Sequence, residues 1–110
     1  MIFDKNGNTS IITQEKVSII ELAKKLQSIY PKFKNDNLII NITSLKKLQT
    51  EDVLEFLHLS NQHRNNEHSF VIVTSAIDID DIPDELVIVP TLQEAYDIIE
   101  MEEIERDLGL

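Results

Sequence analysis

Cysteine and tryptophan are absent from this 110-residue chain, glycine occurs only twice and proline three times. Without cysteine there is no disulfide framework, no zinc–thiolate site and no thiol nucleophile, and a reducing, cytoplasmic compartment is expected. With glycine only at positions 7 and 109, no Gly-rich phosphate loop exists. No apolar run approaches the roughly 18–20 residues that a bilayer span needs. The opening Met1-Ile2-Phe3-Asp4-Lys5-Asn6-Gly7 is too polar for a signal peptide. What is present is a hydrophobic fraction of 42%, enough to bury a core. The length suits one domain, expected to run 1–110, without repeat, linker or low-complexity tract.

Positive charge is scarce in the second half. Residues 1–50 hold eight Lys against four acids, while residues 51–110 hold sixteen acids against Arg64 and Arg106. An acidic half repels phosphate backbones, because nucleic-acid binding rests on cations that displace counterions. Nucleic acid is therefore not expected as a partner. The acidic half reads either as a solvated face that aids solubility or as a docking surface for a basic partner.

Apolar periodicity sets out the elements. Ile2-Phe3 and Ile11-Ile12 flank Asn6-Gly7, a dipeptide that accepts the positive φ of a tight turn, so strands are expected near 1–5 and 9–14. Ser18 and Glu21 have capping-box spacing, and Val17 can staple against Leu22. Ile19, Leu22, Leu26 and Ile29 follow at helical spacing, which predicts a helix over 16–30 stopped by Pro31. Leu38-Ile39-Ile40-Asn41-Ile42 suits a strand covered on both faces. Thr50-Glu51-Asp52 opens a helix to about residue 65, with a hydroxyl cap and two carboxylates at the dipole's positive end. Its inner stripe is Val53, Phe56, Leu57 and Ser60. Residues 69–74 and 86–89 read as further buried strands, with an acidic loop or single helical turn over 75–85. A last helix begins at Pro90-Thr91-Leu92, with Leu92, Ala95, Ile98 and Ile99 inward. Strands alternating with helices require crossover connections, hence an α/β domain with a mostly parallel sheet.

No constellation selects a chemistry. His58, His63 and His68 are evenly spaced, but five helical residues put His58 and His63 about 140° apart, so they cannot share one ion. His63, near the helix end, suits the negative end of the dipole. Asp78, Asp80, Asp81, Asp84 and Glu85 fail the calcium-loop pattern, because Pro83 and Val89 stand where Gly and Glu are required. No nucleophile, base and orienter appear in a recognisable motif. No metal, cofactor or catalytic residue is assigned, and an enzyme is not expected.

Several stretches together resemble the STAS family, the fold of anti-sigma factor antagonists. They are the run from Leu38 through Ile42 to Thr50-Glu51-Asp52-Val53, the turn at Asn65-Asn66 into Phe70-Val71-Ile72-Val73, and Pro90-Thr91-Leu92-Gln93-Glu94-Ala95. The resemblance is clearest over 38–98. It implies a STAS-like single domain: a mostly parallel central sheet with an N-terminal β-hairpin and helices packed on it. It also implies a regulatory module that binds another protein, an anti-sigma factor or kinase-like partner, through Gln49, Thr50, Glu51 and Asp52. In the family a second Ser at this helix start accepts phosphate; that position is Glu51 here. Gln49 and Asn41 replace the family's usual Asp residues, and Thr50 alone keeps a hydroxyl. Glu51 puts fixed negative charge where a phosphate would carry about −1.5 to −2, so it is a partial mimic. The expectation is a module without the usual serine switch. Thr50 reads as a helix cap or, alternatively, as a phosphoacceptor disfavoured by the neighbouring acids.

An acidic C-terminal helical tail, expected at about residues 100–110, carries a second stripe. Met101, Ile104 and Leu108 recur at i, i+3 and i+7, offset from the inward face of the same helix. Either this stripe packs on its own domain or it docks into a partner or second subunit. The alternative function class is accordingly a structural or self-assembling subunit using the acidic tail; a small enzyme is the third. The expected state is a monomer or weak homodimer, with neither membrane nor nucleic acid as partner.

Overall fold

The computed structural model describes residues 1–15 and 18–109. Two strands, β1 (Ile2–Asn6) and β2 (Thr9–Thr13), form the N-terminal hairpin, and α1 (Ile19–Ile29) leads through a 3-10 turn at Tyr30–Lys32 to β3 (Asn37–Asn41). Two short helices, α2 (Thr50–Leu54) and α3 (Leu57–Asn65), then precede β4 (Phe70–Val73). A 3-10 turn at Ile79–Asp81 precedes β5 (Val87–Val89), and α4 (Leu92–Asp107) closes the chain. The sheet runs β1-β2-β3-β4-β5, with β1 antiparallel to β2 and every later pair parallel. This is the expected α/β architecture, with the hairpin strand at one edge.

Side-chain alternation along the strands divides the core into two layers. On one face Ile12, Leu38, Ile40, Phe70 and Ile72 pack with Leu22 and Leu26 of α1, Val53 of α2 and Leu59 of α3. On the other, Ile11, Ile39, Val71 and Val73 meet Ala95 and Ile99 of α4. Residues 38–40 and 70–73 have no exposed surface, as unbroken apolar runs in a doubly covered sheet require. Fully burying one such side chain contributes roughly 1.5–3 kcal/mol. Because strand order follows chain order, α1, α2 and α3 all cross on the same face, and α4 alone covers the other. The order therefore never reverses. Ligand crevices of open α/β sheets form where it does, so this sheet offers no such crevice among the described residues.

Several expectations are corrected in detail. The first helix begins at Ile19, with Ser18 Oγ accepting the Glu21 N–H at 3.2 Å; the expected staple at Val17 lies outside the described residues. In the hairpin Asn6 is still paired with Thr9, so Gly7 and Asn8 form the turn, and only Gly7 takes positive φ (61°). That is the pattern of a type II′ turn, which needs Gly at its first central position. The helix expected over 50–65 is broken. Glu55 and Phe56 donate to carbonyls three residues back, Asp52 and Val53, and the tightened turn reorients α3 so that Phe56, Leu59, Ser60 and His63 are buried. The last strand is half-buried, because it is an edge with no neighbour beyond it. Leu92 is exposed rather than inward, leaving Ala95 and Ile99 as the buried contacts of α4.

Candidate functional site

The carboxyl ends of the parallel strands form one rim of the molecule. There the main chain is stitched strand to strand: Gln14 N–H donates to Asn41 O, Ile42 N–H to Val73 O and Thr74 N–H to Val89 O, all at 3.0–3.1 Å. Immediately after β3 the Asn41 side chain accepts from both the main-chain N–H (3.2 Å) and the hydroxyl (2.8 Å) of Thr43. This Asx turn lifts the chain off the sheet. Lys46 Nζ donates to Thr43 O at 3.2 Å, and Leu45 and Leu48 pack onto the core, so the loop 43–49 is anchored from below.

The loop ends at α2, and the expected assignment of its cap shifts by one residue. Gln49 holds the extended cap conformation and Thr50 is the first helical residue. Gln49 N–H donates to Asp52 Oδ2 at 2.8 Å, while Asp52 N–H donates to Gln49 O at 3.0 Å. The Asp52 carboxylate thus does the capping expected of the Thr50 hydroxyl, since an acid three residues into a helix can reach back to the cap N–H. Gln49 and Glu51 are exposed, whereas Thr50 and Asp52 are half-buried. Of the four residues assigned to this face, Asp52 is committed to holding the helix start, and Gln49 and Glu51 present free side chains. Val53, fully buried beneath them, fixes the turn to the sheet.

The three histidines part company. His58 is exposed, but His63 is buried between Tyr30 and the chain at Asp36. Its Nε2 lies 2.6 Å from Asp36 O, a pure acceptor, so Nε2 carries the proton. Nδ1 then accepts from the Tyr30 hydroxyl at 2.8 Å, and that hydroxyl accepts from Asn66 Nδ2 at 3.1 Å. Burial lowers the His63 pKa to about 4, the Asp36 carbonyl opposing and His68 and Arg64 adding to the shift. The expected helix-dipole role for a charged His63 is therefore corrected: the ring is a neutral core group. The Asp78 carboxylate likewise has a local role, accepting the Asp80 N–H at 3.0 Å to start the 3-10 turn.

At the opposite end of the sheet α4 is held by a polar network that sequence reasoning missed. Arg106 reaches Ser69 Oγ (3.2 Å) and Asn37 Oδ1 (3.4 Å), and Arg64 bridges Glu102 (3.1 Å) and Phe70 O (3.0 Å). The scarcity of arginine was the available signal, since both of the chain's Arg residues are used here. Met101, Ile104 and Leu108 point away from this clamp and are 50%, 53% and 68% exposed. About half or more of each side chain in the tail stripe is open to solvent.

A variant of RsbS from Moorella thermoacetica, in which a serine is replaced by glutamate, superposes with a TM-score of 0.67 at 16% identity. The match covers 90% of this chain and 93% of that one. The fold is STAS-like. A chain from the molecular architecture of the stressosome, described as a signal integration and transduction hub, superposes with a TM-score of 0.63 at 16% identity, covering 90% and 96%. No family model and no curated protein matches the sequence. Among the described residues of this STAS-like chain, no helix is long and apolar enough to cross a membrane. No group of three or more His, Asp or Glu among them is arranged to hold a metal ion.

Proposed function

We propose that this chain is a non-catalytic regulatory module that binds another protein through the rim made by loop 43–49 and the start of α2. Gln49 and Glu51 make the polar contacts, with the half-buried Thr50 beside them, and Asp52 holds the turn. The observation that carries this reading is the exposed Glu51 carboxylate on the first turn of α2, on a rim braced by Val53, Leu45 and Leu48. Glu51 stands where the STAS resemblance puts a phosphate-accepting serine. The matched RsbS chain itself carries glutamate in place of a serine, so the fold accommodates such a change. Glu51 has no hydroxyl on which a serine kinase could form a phosphate ester and its charge is fixed, so the module binds constitutively, and its partner presents a cationic surface to Glu51. Such partners include an anti-sigma factor or a related kinase-like protein. Tagged wild-type protein and Glu51→Lys are compared in pull-downs from the native cell. The expected result is one partner captured by the wild type and lost with the reversed charge; capture indifferent to the substitution rejects the face. Intact mass of protein from the same cells is expected to show no phosphate. A stoichiometric phosphate on Thr50 overturns the constitutive reading.

The exposed stripe Met101, Ile104 and Leu108 favours a second reading, a self-assembling subunit of a larger complex. The stressosome match is to a multi-protein assembly and gives this reading its interest. Light scattering of the purified protein distinguishes the two, since a subunit that assembles through this stripe forms oligomers alone and loses them with Ile104→Glu plus Leu108→Glu.

A further inference from the structure

The free edge of β5 lies in an apolar trough. On one side of the strand the trough is walled by Ile79, Ile82 and Pro83 from the segment before it, and on the other by Ile98 of α4. It has a volume of about 300 Å³ and continues past Val89 into a second hollow of about 290 Å³ floored by Ile98 and Met101. Ile79 and Met101 are 60% and 50% exposed, large apolar side chains left in water at the two ends. Three carboxylates, Asp84, Glu94 and Asp97, stand among the lining residues, and no Lys or Arg does. Val89 O accepts from Thr74, just past β4, so by alternation the N–H and C=O of Ile88 point to the free side.

From this arrangement we propose that β5 accepts a short extended segment of another protein as a sixth strand. The segment carries apolar side chains at consecutive positions flanked by Lys or Arg. Consecutive residues of an added strand point to opposite faces of the sheet. One apolar side chain would enter the wall at Ile79 and Ile82, and the next would meet Ile98 and Met101. Main-chain hydrogen bonds supply affinity and the two walls supply specificity, the usual division in strand addition. The flanking cations answer Asp84, Glu94 and Asp97. The brevity of β5 limits pairing to a few residues and protects the edge from indiscriminate sheet growth. This site is separate from the Glu51 rim and does not depend on it.

The probe is a fluorescein-labelled heptapeptide, Lys-Lys-Val-Ile-Val-Lys-Lys, titrated with the full-length protein and read by anisotropy. Saturable binding is expected, weakening as salt rises. Ile79→Lys and Met101→Lys, both at exposed positions, are each expected to weaken it at least about tenfold with an unchanged circular dichroism spectrum. Glu51→Lys and Leu108→Lys leave it unaltered, so this test is independent of the Glu51 rim, and Leu108→Lys separates it from the tail stripe, which shares only Met101 with the trough. N-methylating the peptide at alternate residues in its two possible phases is expected to abolish binding in one phase and spare it in the other. Absence of binding, equal binding by both methylated forms, or loss of binding with Glu51→Lys overturns the proposal. So does a dimer of the free protein that dissolves with Ile79→Lys, which would make a second copy the occupant.

Discussion

His63 shows how a single buried side chain ties stability to pH. Its folded pKa of about 4 lies below the ordinary 6.5, so between those values the unfolded chain binds the extra proton. Stability is therefore full above about pH 6.5 and is lost as pH falls toward 4. The loss is on the order of 3 kcal/mol at most, and urea midpoints at several pH values measure it. His63→Phe is expected to flatten that slope, while stranding the Tyr30 hydroxyl at a cost of about 1–3 kcal/mol. A slope unchanged in the variant would assign the pH dependence to other groups. Sequence marked His63 only as a late-helix residue. Its burial depends on Tyr30 and Asp36, which are 33 and 27 positions away, and no local pattern reports such a meeting.

At the scale of elements, most boundaries were legible because short-range chemistry sets them. Ser18 and Thr91 cap α1 and α4 by accepting the N–H three residues on, at 3.2 Å each, and Pro31 lies just past α1. Thr91→Ala is expected to lower stability by about 1 kcal/mol, seen as a reduced urea midpoint with unchanged slope. Gly7→Ala places a Cβ at φ 61° with nothing within 4 Å of it. Backbone strain alone then costs on the order of 1 kcal/mol, with no steric contribution. The break between α2 and α3 was not legible. Residues 50–65 show continuous helical spacing, and the tight turn at Glu55-Phe56 is a compromise that seats both Val53 and Leu59 against the sheet. The cap shifted from Thr50 to Gln49 for a related reason: Asp52 outcompetes the hydroxyl by bonding back to the loop.

The whole molecule is polar in charge and in anchoring. The tail helix presents its stripe to water while its opposite face carries Glu102 and Arg106 into the sheet's far end. Truncation after Glu100 would therefore remove both the stripe and the clamp, leaving Arg64 half-buried without its carboxylate. Chemical denaturation is expected to show a loss of a few kcal/mol for this truncation. Ile104→Glu with Leu108→Glu should leave the midpoint within about 0.5 kcal/mol, because both side chains are solvated. An equal loss in the double variant would mean that the stripe packs on the domain after all.

The chain's own pattern determined that a mostly parallel α/β sheet would form, where α1 and α4 are capped, and that the runs at 38–42 and 70–73 would be covered on both faces. Those follow from periodicity, caps and turn residues, which act over a few positions. Only the tertiary structure decided that strand order would follow chain order and that β5 would be left as an open edge in an apolar trough edged by carboxylates. It alone turned Met101, Ile104 and Leu108 outward and His63 inward. Each of these outcomes depends on which distant surfaces meet when the sheet closes its two layers, and local preference does not encode that competition.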